Sequence, residues 1–285
     1  MTYLVINLQV SKASMLQSVD FIAPAPVFAA VMSMHALDME MGKRGMRLGV
    51  RGVGLVHKNC TPWIEYMEKK GGWSDPYLVQ RRGACPFDSG KEKNPIGVPL
   101  QPDALTDLEW TLLLDCKSDL DAASARDIET QLLRMRLAGG NILSARVRVS
   151  KDWPDALSAL GTGFWIDDAS DLLRDPVHSA TGSPADPCLA LLQATRSGGW
   201  VIPANLGYAL LESPQERRPG ARDARPHAFA EHMIGLLIYT SMRAAREREG
   251  GLLPDHLWRF GWDGDQFLVS NRAALSLNPS PSTPV

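Results

Sequence analysis

Apolar and polar positions fall in blocks along this chain, and the blocks change period in a regular order. The first, YLVINLQV, is rich in Val, Ile and Leu, with Asn7 and Gln9 as polar contrast, which is strand composition. After Pro24 and Pro26, VFAAVMSMHALDMEM keeps small and apolar residues at helical spacing. Gly42 and Gly45 mark the end of that helix, and Lys43 and Arg44 complement its dipole. VRGVGLVHK reads as a short strand. LEWTLLLDC is almost continuously apolar and predicts a strand central in its sheet. Asp121 is placed to cap a helix over AASARDIETQLLRMRLAGG, whose Ile128, Leu132 and Met135 share a face. ILSARVRVS completes the series as a strand.

Between the second and third of these strands, from about Cys60 to Leu105, the chain is polar, basic and rich in Gly and Pro. A stretch that long is rarely a plain loop and predicts a projection or hairpin. Beyond Lys151 the pattern is coarser. GFWIDDASDLLR predicts a strand and then a helix, and SGGWVIPANLGYALLE a strand interrupted by Pro203. RPHAFAEHMIGLLIYTSMRAAREREG predicts a helix with Phe229, Met233, Leu236 and Leu237 on one face. LWRFGWDGDQFLVS predicts a hairpin around Asp263–Gly264. The tail SLNPSPSTPV has the composition of a disordered segment.

The order β-α-β, projection, β-α-β predicts an α+β protein with a ferredoxin-like (RRM-type) core over residues 1–150 and the projection at about 60–105. Residues 151–275 are then a C-terminal α/β elaboration packed on that core, and 276–285 a disordered tail. Fold alone leaves function open. The usual RRM aromatic signature is also missing, so the sequence offers no support for base stacking on sheet aromatics.

Composition narrows the classes. The chain has 285 residues, 45% apolar and 22% charged, the balance of a globular protein. The four cysteines, Cys60, Cys85, Cys116 and Cys188, are widely spaced, so reduced thiols in a cytoplasmic protein are expected instead of a disulfide framework or zinc site. MTYLVINLQV reads as a strand and not a signal peptide. No apolar run reaches the roughly 18 residues of a membrane span, so no membrane partner is expected. No cofactor is expected, and the histidines lack metal-ligand spacing.

The net charge of −2 conceals segregation. Lys43–Lys93 holds eleven basic and five acidic residues, and Arg134–Lys151 holds five basic residues and no acidic one. Within the second segment, RMRLAGGNILSARVRVSK, the turn Gly139-Gly140-Asn141 has two readings. Its successive N–H groups suit a phosphate, with Arg134, Arg136, Arg146 and Arg148 as charge-assisted donors; alternatively the glycines only cap a helix.

Read together, RMRLAGGNIL, GGWVIPANLGYALLE, HAFAEHMIGLL and APVFAAVMSMHAL…GVRGVGLVHK resemble the Csy-two subunit of type I-F CRISPR surveillance complexes, the Cas-five member of the RAMP group. The likeness is scattered over about Tyr3 to Phe267 and is strongest at Met135–Leu143. It implies an RRM-like fold with a thumb-like projection and no catalysis. It implies an RNA-binding subunit that holds the 5′ handle of the CRISPR RNA and caps the backbone filament. The implied partners are that RNA, the large Cascade subunit, the backbone subunit and, through the complex, target double-stranded DNA in antiviral defence. On this reading Lys58, Arg81, Arg82, Lys91 and Lys93 belong to the projection side of the RNA site. Lys12 joins them from the segment SKASMLQSVDFIAPAP, where the family carries asparagines.

The competing reading is a metal-independent RAMP endoribonuclease that processes CRISPR repeat RNA, with His35 on the first helix as general base beside Ser33. The apolar neighbours Met32, Met34, Ala36 and Leu37 favour a structural histidine instead.

Overall fold

The computed structural model describes residues 2–18, 21–68, 74–78, 80–82, 100–102, 104–173, 200–217 and 223–272. The first segment runs β1 (Thr2–Ser14), α1 (Val27–Lys43) and β2 (Val50–Pro62). Two short ribbons follow, β3 (Ile64–Glu68) with β4 (Ser74–Leu78) and β5 (Gln80–Arg82) with β6 (Leu100–Pro102). The chain continues as β7 (Leu105–Cys116), α2 (Ala122–Leu132), β8 (Arg136–Leu137) and β9 (Gly140–Ser150). Then come α3 (Trp153–Ala159), β10 (Phe164–Asp168), a 3₁₀ turn at Ser170–Leu173, β11 (Val201–Leu210) and β12 (Ala230–Ser241). A short α4 (Met242–Glu247) precedes the hairpin β13 (Arg259–Asp263) and β14 (Gln266–Ser270).

Ten of these strands form one antiparallel sheet in the order β13-β14-β11-β12-β10-β2-β7-β1-β9-β8. The fold is therefore mixed, a large antiparallel sheet with few helices. Strand β7 lies between β2 and β1, the central position its apolar run predicts. The two halves of the chain meet where β10 pairs β2, at Phe164 opposite His57 and Trp165 opposite Val56.

The side-chain period of two assigns the faces of the sheet. Leu4, Ile6 and Leu8 of β1 and Leu108, Trp110 and Leu112 of β7 pack with Met34 and Leu37 of α1 and Ile128 and Leu132 of α2. The alternate residues Tyr3, Val5 and Leu113 face the other way, against Ala156 and Leu160 of the α3 region and Met242 and Ala245 of α4. Both helices of the first half thus lie on one face, while α3 and α4 cover one end of the other.

Local chemistry closes the elements. Asp121 accepts a hydrogen bond from the Ser124 N–H and caps α2 as expected. At the end of α1, Gly45 adopts φ +81°, and Met46 N–H donates back to the Met41 carbonyl, a turn that glycine makes without steric cost. The buried Asp38 carboxylate then accepts from the N–H groups of Leu48 and Gly49, at 2.7 and 2.9 Å, and sets the approach to β2.

Three expectations are corrected. RPHAFAEHMIGLLIYTSMRAAREREG is mostly strand: β12 occupies Ala230–Ser241, and only Met242–Glu247 is helical. The run Gly235-Leu236-Leu237 is buried throughout, and a strand buried on both faces loses the alternation that would reveal it. Phe229 precedes the strand and is 63% exposed, so it shares no buried helical face with Leu236. Helix α2 ends at Leu132, not at the glycines, and RMRLAGG forms a turn and the hairpin β8–β9. Pro203 does not interrupt β11. Strand β14 pairs only with Gly207–Ala209, so among the described residues β11 is a sheet edge at Pro203, where proline is tolerated. The tail beginning at 273, including the segment expected to be disordered, lies outside the described residues.

Candidate functional site

On the face turned away from α1 and α2, strand register assembles polar residues in rows. Asn7 of β1 stands opposite Arg146 of β9 on one side and Thr111 of β7 on the other. Asn7 Oδ1 accepts from Thr111 Oγ1 at 2.6 Å and from Lys58 Nζ at 3.2 Å. A register shift between His57 and Asn59 brings Lys58 round to this face. The next row is Ser144, Gln9, Glu109 and Asn59, with Gln9 donating to Glu109 at 3.0 Å and accepting from Ser144 at 3.1 Å. At the far end Arg136 pairs with Asn141, Asn141 with Ser11, and Ser11 Oγ donates to Asp107 at 2.7 Å.

The cations in these rows are not equivalent. Lys58, Arg136 and Arg146 are exposed, and among the described residues none of the three has a carboxylate partner within ion-pair distance. Arg148 is held by Asp155 at 2.5 Å, and Lys151 is paired with Asp119. Lys12 sits at the β1 bulge with φ +58°, its Nζ 4.8 Å above the Trp63 ring and its N–H donating to Asp107. Burial works to raise the Asp107 pKa, but hydrogen bonds from Ser11, Lys12 and Trp63 outweigh it and hold the carboxyl below its ordinary value. Asp107 and Glu109 therefore order this face through neutral donors and leave Lys58 and Arg146 without an ion-pair partner among the described residues.

The glycines of RMRLAGGNIL act differently from either reading of the sequence. Ala138 and Gly139, at φ +49° and +76°, are the two-residue turn of the β8–β9 hairpin, so the turn is neither a helix cap nor a fan of N–H groups following a helix. Gly140 lies against β1: a methyl group there would come within 2.6 Å of Ala13 N and 2.7 Å of Ser11 O. The glycine permits close packing of two backbones. Gly140→Ala is accordingly expected to lower the melting temperature by several degrees, an overpacking cost of about 1–3 kcal/mol, without changing RNA affinity of the folded protein. Thermal unfolding beside a binding titration checks both halves.

Arg134 is exposed in the turn after α2 and lies off the sheet. Arg81 and Arg82 belong to β5, opposite Gln101 and Leu100 of β6. Lys91 and Lys93 lie outside the described residues, as do Cys85 and Cys188; Cys60 and Cys116 are free thiols. His35 packs on Phe260 of β13 with ring centroids 4.6 Å apart, on the helical side of the sheet and away from the polar rows. Among the described residues no group of three or more His, Cys, Asp or Glu is placed to hold a metal ion. No described helix is long and apolar enough to cross a membrane.

The structure adds one feature that sequence reasoning missed. Beside Lys58, where β10 no longer pairs with β2, lies a cavity of about 490 Å³ lined by His57, Lys58, Asn59, Phe164, Trp200 and Tyr239, among others. Trp200 lies on Phe164 with centroids 5.0 Å apart and planes inclined by 35°. Phe164 meets Tyr239 edge-on at 6.3 Å, and the Tyr239 hydroxyl is 3.1 Å from His57 Nδ1. Burial lowers the His57 pKa, partly countered by a backbone hydrogen bond at Asn59.

No family model matches the chain, and no curated protein matches it closely enough to indicate a family. The site must be read from its own geometry.

Proposed function

We propose that this chain is a non-catalytic RNA-binding subunit of a type I-F-like CRISPR surveillance complex, holding the 5′ handle of the CRISPR RNA and capping the backbone filament. Acting in the cytoplasm, it would meet the large subunit, the backbone subunit and, through them, target DNA. The observation that carries the reading is the pair of exposed, unpaired cations Lys58 and Arg146 on either side of Asn7, on the sheet face opposite the two helices. Phosphates along a bent RNA strand demand such a row of cations, and neutral amides and hydroxyls between them suit ribose and base edges.

Two further observations support it. The segments resembling the Csy-two subunit contribute directly to this architecture: α1, β2, the β8–β9 hairpin, β11 and β12. The neighbour order β9-β1-β7-β2, from a β-α-β, β-α-β succession with both helices on one face, is what we read as a ferredoxin-like core with a projection between its second and third strands.

Binding asks no reaction of these groups. Phosphate is attracted by Lys58, Arg136 and Arg146, and each contact releases counterions, so affinity for single-stranded RNA falls with salt. The test is a titration of the full chain with a single-stranded RNA bearing a CRISPR 5′ handle at several ionic strengths. A log–log salt slope that shrinks by about 0.7 for each of these cations removed is expected. Affinity indifferent to salt overturns the reading. The same preparation distinguishes the nuclease: repeat RNA is expected to stay intact with wild type and with His35→Ala alike. Metal-independent cleavage that His35→Ala abolishes would establish the enzyme instead.

A further inference from the structure

A second cavity, of about 440 Å³, lies between the end of α3 and α4 and is lined by Gly161, Thr162, Ser241, Arg243, Arg246 and Glu247, among others. We propose that the RNA path continues from Lys58 over the turn Gly161-Thr162-Gly163 into this cavity, which holds a phosphate of the sugar–phosphate backbone. The inference rests on the RNA-binding reading above.

The cavity is on the same face of the sheet as the polar rows. Met242 and Ala245 of α4 pack with Leu160, Tyr3 and Val5 on the side turned away from α1 and α2, which is the side of Asn7 and the Lys58 ammonium. The two places also share a residue. Gly161 belongs to the cavity lining, and a methyl group on it would stand 3.6 Å from Lys58 Nζ, so no side chain comes between the turn and the ammonium. At the other end of the turn Gly163 is pressed onto β2: a methyl group there would come within 2.7 Å of the His57 carbonyl oxygen and 2.8 Å of Val56 Cγ1. The turn is therefore fixed against the strand that carries Lys58. Gly161 and Thr162 themselves are exposed, and a strand of RNA leaving Lys58 meets bare backbone and a hydroxyl.

The charges in the cavity suit a phosphate diester. Arg246 donates to the carbonyls of Leu157 and Gly161, at 2.9 and 3.3 Å, and has no carboxylate partner within ion-pair distance among the described residues. Neutral acceptors thus aim the guanidinium and leave its charge uncompensated. Arg243 is tied to Glu247 at 3.0 Å, but both side chains are exposed, by 86% and 63%, and an i,i+4 pair in water yields readily to a phosphate. With Lys58 at the border, three cations face one carboxylate. The hydroxyls of Thr162 and Ser241 add neutral donors. None of the described lining residues is aromatic, so the cavity fits sugar and phosphate instead of a stacked base.

The experiment titrates the full chain with a labelled single-stranded oligoadenylate at several salt concentrations. Arg243→Gln is expected to shrink the log–log salt slope by about 0.7, which amounts to about fourfold weaker binding at physiological salt. Glu247→Gln frees Arg243 and removes a negative charge, so it is expected to tighten binding by a similar factor. The control is Asp255→Asn. Asp255 pairs with Arg259 in the same i,i+4 relation outside the cavity lining, and its loss changes the net charge equally, yet affinity is expected to stay at the wild-type value. Melting temperatures should agree across all four proteins, because these side chains are exposed. Equal gains from Glu247→Gln and Asp255→Asn overturn the cavity and leave the RNA reading standing. So does indifference to Arg243→Gln and Glu247→Gln while Lys58→Glu still weakens binding. Variants that spare RNA but release a neighbouring subunit give the cavity to a protein and likewise overturn the inference. Absence of salt-dependent binding by the wild type removes both readings together.

Discussion

Reversing Lys58 and Arg146 together, as Lys58→Glu with Arg146→Glu, is expected to weaken binding of single-stranded RNA by about a hundredfold at physiological salt, with the deficit narrowing at low salt. Both side chains are exposed, and they flank Asn7 on one face of the sheet. Among the described residues neither is tied to a carboxylate, so each presents its full charge to a phosphate, and a glutamate there adds repulsion to the loss. Arg148→Glu should do less to binding, because Asp155 already occupies Arg148. The stability change should be small for the double variant, since exposed charges contribute little to folding. Fluorescence anisotropy at two salt concentrations reads the effect. An unchanged dissociation constant would place the RNA elsewhere on the molecule.

The largest expected loss of stability is at Trp165. Its side chain is completely buried on β10, and its ring lies so close to Gly54 of β2 that a methyl group there would come within 2.6 Å of Cη2. It packs with Tyr3, Val5 and Leu113 of the first half and with Met242, Ala245 and Leu257 of the second. Its Nε1 donates to Asp167 Oδ1 at 2.7 Å, and Asp167 in turn pairs with Arg248 and accepts from Asn271. Truncation opens a cavity at this junction, so Trp165→Ala should cost about 3–5 kcal/mol, a large part of the roughly 5–15 kcal/mol by which a domain is stable. The melting temperature should fall on the order of 10 °C. A fall of under about 2 °C would mean that the two halves are held together by something other than this cluster.

The legible elements were those with one buried face or a clear stop signal. Strand β7 could be placed at the centre because its apolar run has no polar alternation, and α2 could be started at Asp121 because a carboxylate before Ala-Ala-Ser has a free N–H to cap. Strand β12 was not legible: Ile234–Tyr239 satisfies a helical stripe as readily as a doubly buried strand, and its pairing to β11 and β10 is a long-range fact. The hairpin at Ala138–Gly139 was missed because RMRLAGG continues the helical pattern of α2, while the positive φ at Ala138 breaks the usual glycine rule.

The candidate site divides along the same line. The cations were visible as charge segregation, yet which of them share a face depends on register across four strands and on the bulge that turns Lys58. The aromatic wall was invisible for a stronger reason. His57, Phe164, Trp200 and Tyr239 lie on separate segments and meet only where β10 stops pairing with β2.

On the proposed function this protein grips one end of a guide RNA. The direct measurement is to purify the chain from its native cells with whatever it carries and sequence the bound RNA from its 5′ ends. The expected result is a discrete RNA population sharing one repeat-derived 5′ segment followed by varied guide sequence, and its loss from Lys58→Glu/Arg146→Glu protein. Protein that comes through free of RNA, or carries fragments with no common 5′ segment, would contradict the account.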